Sequence, residues 1–173
     1  MSTSTMPTAA LMAENQSLYN LELSEKFRPT LEEVKSFITD NVLPVQQEYD
    51  DSPCTEDRWK LGDKRTEIIE GLKSKAKSQG LWNFFLSDWN GEGITNLDYA
   101  YLAVEMGKSP LASQSFNCSA PDTGNMEVLY KYGTEEQKER WLKPLLNGEI
   151  RSCFAMTEPD LASSDAKNIA TRA

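Results

Sequence analysis

The chain has 173 residues, 39% apolar and 26% charged, the balance of one folded domain rather than a disordered segment. Its 27 acids against 18 bases leave a net charge of −9, which speaks against a nucleic-acid or anionic-membrane surface. With no histidine, Ser-His and Cys-His nucleophile pairs and all histidine metal sites are excluded.

Residues 1–26 have no sustained apolar period and many small polar residues, which reads as a tail with a short helix near Met12 to Leu18. No signal peptide precedes Asn15-Gln16-Ser17 or Asn117-Cys118-Ser119, so these glycosylation triplets read as chance. No Arg occurs before Arg28, no apolar run approaches the ~20 residues of a membrane span, and Thr-Arg-Ala is not a peroxisomal tripeptide. Cytosol is the default location, with mitochondrion and peroxisome as alternatives. Three separated cysteines, Cys54, Cys118 and Cys153, fit reduced, buried small side chains.

A helical domain is expected over residues 27–150. Thr30 with Glu33 has the capping-box spacing, so the first helix is predicted to start at Leu31. Leu31, Val34, Phe37, Ile38, Val42, Val45 and Tyr49 form its apolar stripe, and Pro44 should kink it. Ile68, Ile69, Leu72 and Ala76 mark a second helix, stopped by Gly80. The dense run Leu81 to Leu86 is predicted to carry the connector into the core. Thr95 with Asp98 starts a third helix, with Leu97, Ala100, Tyr101 and Val104, and Leu102 beside them, as its expected buried face. It should stop at Gly107, before Pro110. A fourth helix is predicted from Asp122, read as its cap, to Tyr132, closed by Gly133. Thr134 with Gln137 makes another capping box, opening a fifth helix to Leu146 with Trp141, Leu142, Leu145 and Leu146 as apolar positions and Gly148 after it. The aromatic residues Trp82, Trp89, Trp141, Phe84, Phe85 and Tyr101 are read as core packing ahead of an acyl pocket. Gly91-Glu92-Gly93 lacks the preceding strand and third glycine of a dinucleotide fingerprint.

The last stretch carries the chemistry. Arg151 to Met156 is short and apolar enough for a buried strand. Glu158-Pro159 breaks it. A loop of small residues and hydroxyls follows, then a second strand-like run, Ile169 to Ala173. Hydroxyls and free backbone N–H groups converging at a strand end suit a flat, phosphate-bearing cofactor. Phe154-Ala155-Met156-Thr157-Glu158-Pro159, with Ser164-Asp165 after a small-residue loop, resembles the flavin-binding signature of the acyl-CoA dehydrogenases. Tyr132 to Lys138 and Trp141 to Glu149 are similar to the helix leading into that signature. The loop is one residue longer than the common form and lacks its glycines.

The resemblance implies a mainly α chain: a helical bundle like the N-terminal domain of that family, followed at 151–173 by the opening strands of an incomplete flavin-binding β-domain. It implies FAD as cofactor, an acyl-CoA thioester as substrate, and a homo-oligomer for the complete protein. By the same resemblance Thr157 faces the reactive edge of the isoalloxazine, Phe154 and Met156 lie against the flavin, and Ser163 and Ser164 lie near the pyrophosphate. Aligning on Asp165 makes Ser164 the family's serine, also near the thioester, and Ser163 the insertion. Glu158 goes with the turn rather than serving as a base. The family's catalytic carboxylate comes from a C-terminal domain, so no residue here is expected to be catalytic and the chain is expected to be an inert fragment. The alternative is a non-enzymatic helical interaction module that keeps the fold.

Overall fold

The computed structural model describes residues 21–53, 55–57, 60–86 and 93–172. They fall into two compact units that divide between Cys118 and Ser119. Among the described residues the regular structure is entirely helical, and no helix is long and apolar enough to cross a membrane. The expected helix at Met12 to Leu18, together with Cys54, Trp89 and the Gly91-Glu92 pair, lies outside the described residues.

In the first unit, helix α1 comprises Arg28–Phe37, a π turn Ile38–Val42, and Leu43–Asp51. It begins earlier than the Thr30–Glu33 pair suggests. Pro29 sits in its first turn, where a missing N–H costs nothing and the fixed φ favours helix, so Thr30 is already inside. Pro44 shapes the middle. It cannot donate to the carbonyl of Asp40, and its ring crowds that group. The helix widens instead of breaking: the Leu43 N–H donates to the carbonyl of Ile38, five residues back, and the side-chain amide of Asn41 donates to the carbonyl of Phe37 at 3.1 Å. The expected stripe is correct. Val34, Phe37, Ile38 and Val42 are buried, and Leu31, Val45 and Tyr49 pack against the core at its edge.

Helix α2, Asp63–Ser78, buries Ile68, Ile69, Leu72 and Ala76. Gly80, at φ +76°, closes it: its N–H donates to Lys77 and the next N–H, of Leu81, reaches back to Ala76. This pairing of terminal carbonyls needs the left-handed backbone that glycine adopts freely. Leu81, Trp82, Phe84 and Leu86 are buried, as expected of the connector.

Helix α3, Asn96–Met106, has the predicted reciprocal cap between Thr95 and Asp98. The Asp98 carboxylate also accepts the Ser24 N–H at 2.9 Å, fastening the segment before α1, where Leu23 is buried. Burial pushes this carboxyl up, but the hydrogen bonds from Ser24 and Thr95 outweigh it and hold it below its usual 3.8. The buried face differs from the expected one. Leu102 and Met106 are buried beside Asp98, whereas Ala100, Tyr101 and Val104 face outward. The helix is apolar on several sides, so periodicity alone does not select a face.

A short helix, α4 (Pro110–Ser115), was not anticipated. Ser109 caps it by accepting the Leu111 N–H at 3.1 Å, and Pro110 occupies its first turn. Helix α4 packs against α2, α3 and the π turn of α1. Phe116, just beyond its end, is fully buried and meets the rings of Phe37 and Phe84 at 5.1 and 5.9 Å between centroids. Two buried asparagines, Asn83 and Asn117, are both at positive φ; the Asn117 side-chain N–H donates to the Asn83 side-chain oxygen at 2.7 Å, and the Asn83 backbone N–H donates to the Phe116 carbonyl. The Asn117 side chain is thus committed inside the fold.

In the second unit, helix α5 (Asp122–Tyr132) packs on helix α6, which comprises Glu135–Gln137, a second π turn Lys138–Leu142, and Lys143–Leu146. Pro144 stands to this π turn as Pro44 does to the first. The Thr134–Gln137 capping box is formed. Gly133 joins the two helices where a Cβ would lie 2.5 Å from the Leu129 carbonyl oxygen. Met126, Leu142, Leu145 and Leu146 are buried, but Trp141 is 40% exposed.

The position of Phe116 between two rings leads to a direct expectation. Phe116→Ala will destabilise the chain by about 3–5 kcal/mol, the usual cost of an aromatic cavity, and Phe116→Leu by less. Urea denaturation followed by circular dichroism should show a lower midpoint with an unchanged slope.

Candidate functional site

After α6 the chain turns at Gly148, φ +70°, and enters the stretch expected to carry a strand. No strand forms there or at 169–172. A strand needs a neighbour to exchange N–H and C=O groups, and among the described residues neither run has one. Ala166–Asn168 instead forms a 3-10 turn. The side chains expected in a strand core are outside it: Phe154 is 65% exposed and Met156 44%.

The segment is fixed at its start by Asp122. This residue is the first of α5 rather than its cap, and its side chain is 4% exposed. One carboxylate oxygen accepts the Ser152 N–H at 2.7 Å and the Ser152 hydroxyl at 2.6 Å. The other accepts the Arg151 guanidinium Nε–H. The Ser152 oxygen in turn accepts from the Asn125 side-chain amide at 2.8 Å. These bonds hold residues 151 and 152 to the first turn of α5.

A second carboxylate fixes the far end. Glu158 accepts the N–H groups of Ala170 at 3.0 Å and Thr171 at 2.8 Å, and the Thr171 hydroxyl. Its own N–H donates to the Ser163 hydroxyl oxygen at 2.9 Å, and that hydroxyl donates to the Leu161 carbonyl. Ser163 is 5% exposed, so its side chain closes the loop. Thr157 and Ser164 are exposed and have no hydrogen-bond partner among the described residues. The structure thus brings Phe154, Met156 and Thr157 onto one open stretch, leaves Ser164 open on the adjoining loop, and takes up Ser163 internally.

Beside this segment, Asn125, Val128, Leu129, Trp141, Ile150 and Cys153 border an open groove of about 360 Å³. Trp141 therefore lines a surface instead of the core. Cys153 is exposed, unlike the buried Cys118, whose thiol is pushed up to about 12 by burial. Asp122, Asn125 and Ser152 are the organising residues that sequence reasoning missed. Their signal was weak, because an acid ahead of a helix reads first as a cap.

Residues 24–149 match the family described as "Acyl-CoA dehydrogenase, N-terminal domain". The chain belongs to the acyl-CoA dehydrogenase family. It is 53% identical over 153 residues to mouse (Mus musculus) "Acyl-CoA dehydrogenase family member 10", covering 85% of this chain and 14% of that protein. It is 51% identical over 150 residues to chicken (Gallus gallus) "Acyl-CoA dehydrogenase family member 11", covering 84% of this chain and 18% of that protein. The solved structure of a "putative acyl-CoA dehydrogenase" from Mycobacterium abscessus aligns with a TM-score of 0.75 at 45% identity, over 86% of this chain and 38% of that one. The chain thus spans less than a fifth of the length of these two curated relatives. Residues 151–172 follow the matched region in the sequence.

The Glu158 bonds have a pH signature. The Thr171 hydroxyl, then the Ala170 and Thr171 amides, hold the Glu158 carboxyl below its usual 4.5. A carboxyl depressed in the folded state contributes its stabilisation above the ordinary value and loses it as pH falls through the folded value. The loop should therefore keep this contribution above pH 4.5 and lose it in more acidic solution. The side-chain carboxyl carbon of Glu158, followed by NMR, should titrate below 4.5, and Thr171→Ala should move the midpoint upward.

Proposed function

We propose that this chain supplies the N-terminal helical domain and one wall of the flavin site of an FAD-dependent acyl-CoA dehydrogenase, which introduces an α,β double bond into a fatty acyl-CoA thioester. The observation that carries the reading is Thr157. It is exposed and has no hydrogen-bond partner among the described residues, next to two exposed apolar side chains, on a segment anchored at both ends by carboxylates. A flat aromatic ring with a polar edge fits that donor set: apolar surface for its face, a free hydroxyl and N–H for its rim.

The residues available for FAD are Phe154, Met156, Thr157 and Ser164. When bound, the flavin supplies the hydride acceptor. Phe154 and Met156 would cover the ring and exclude water. The Thr157 hydroxyl and N–H would donate towards negative charge developing on its edge. Ser164 would offer a hydroxyl and N–H to the pyrophosphate and the thioester end of the substrate. Ser163 acts at one remove, by holding the Glu158 N–H.

Abstraction of the substrate α-proton needs a free carboxylate. Glu158, the acid nearest in sequence to Thr157, already accepts three donors and is held more acidic than usual, which makes it a poor proton acceptor. We therefore do not assign Glu158 as the base, and infer that the chain binds flavin weakly and does not turn over alone.

The test is FAD titration of the 173-residue chain, followed by flavin fluorescence, together with acyl-CoA-dependent dye reduction. Weak saturable binding that is diminished by Thr157→Ala, without dye reduction, is the expected result. Turnover by the isolated chain would contradict the inertness, and wild-type binding by the Thr157 variant would contradict the site.

A further inference from the structure

We propose that Glu158 is the positioning residue of the flavin wall: by tying the chain at 158 to the amides of 170 and 171, it fixes the direction in which Thr157 presents its donors. The inference rests on the reading of Thr157 given above and deepens it.

Three constraints meet at this residue. Pro159 follows it, which restricts Glu158 to extended backbone. Its N–H is committed to the Ser163 oxygen at 2.9 Å. Its carboxylate spans two successive N–H groups, at 3.0 and 2.8 Å, and takes the Thr171 hydroxyl as a third donor. Two adjacent main-chain donors on one carboxylate form a two-point clamp, which sets orientation as well as distance. Thr157, immediately before it, has no bond of its own within the described residues. The geometry of Thr157 is therefore inherited from Glu158. The N–H and the carboxylate of Glu158 are both committed within the chain, so it acts through its neighbour.

This relation is measurable as a double-mutant cycle on FAD binding to the full chain. Glu158→Ala and Thr157→Ala should each weaken binding about tenfold, and the double variant should be no weaker than Thr157→Ala alone. Glu158→Gln keeps one acceptor oxygen but turns the other into a donor facing an N–H, so it should recover only part of the loss. Independent effects that multiply to about a hundredfold would overturn the proposal, as would wild-type binding by Glu158→Ala. If the wild-type chain binds no FAD, the reading of the site fails on its own. The positioning role is then decided by the Thr157 amide and methyl NMR shifts. They should move towards random-coil values in Glu158→Ala and partly return in Glu158→Gln, and unchanged shifts would overturn it.

Discussion

Every main-chain N–H that loses water must find an acceptor, and the stretch from Arg151 to Arg172 meets that rule without a sheet. Two acidic side chains provide the acceptors that neighbouring strands would otherwise supply. Asp122 holds residues 151 and 152; Glu158 holds 170 and 171. Between these anchors no N–H of residues 153–157 has an acceptor among the described residues, and Phe154, Met156 and Thr157 are exposed. The anchoring and the openness are one arrangement: the residues that would meet a flat ligand are those the clamps leave unpaired.

The same rule governs the helices. Thr95 with Asp98 and Thr134 with Gln137 satisfy first-turn amides reciprocally. Pro44 and Pro144 each remove a donor from mid-helix, and in both places the helix answers with a π turn in which an N–H reaches five residues back. Gly80 lets Leu81 return a bond to Ala76. Asp98 joins the two levels, capping α3 while accepting the Ser24 amide. The first unit therefore holds Ser24 through a buried carboxylate, much as the second unit holds Ser152 through Asp122.

Local signals made most of the helices legible. The stripe from Val34 to Val42, both true capping boxes and the stops at Gly80 and Gly133 follow from spacing and from what glycine and hydroxyls do at helix ends. The failures came where two local rules competed. At Arg28 the preference of Pro29 for a first turn overrode the Thr30–Glu33 pattern. In α3, apolar residues on several sides concealed which face the tertiary structure would choose. Helix α4 was overlooked although Ser109-Pro110 is a cap followed by a first-turn proline. In the last stretch, the expected grouping of Glu158 with the turn agrees with its bonds to Ala170 and Thr171. Asp122 required a contact 30 residues away in sequence, which no local pattern encodes. The division of labour between the two serines likewise appears only once burial is known.

These clamps set the path of the chain as it leaves the helical region that matches the acyl-CoA dehydrogenase family. Amide hydrogen exchange across residues 151–172, read by NMR, tests the central claim most directly. Slow exchange at Ser152, Glu158 and 167–171, with fast exchange at 153–157, is the pattern predicted. Alternating protection through 153–157 would contradict it, because a strand ladder, and not two carboxylates, would then be holding the segment.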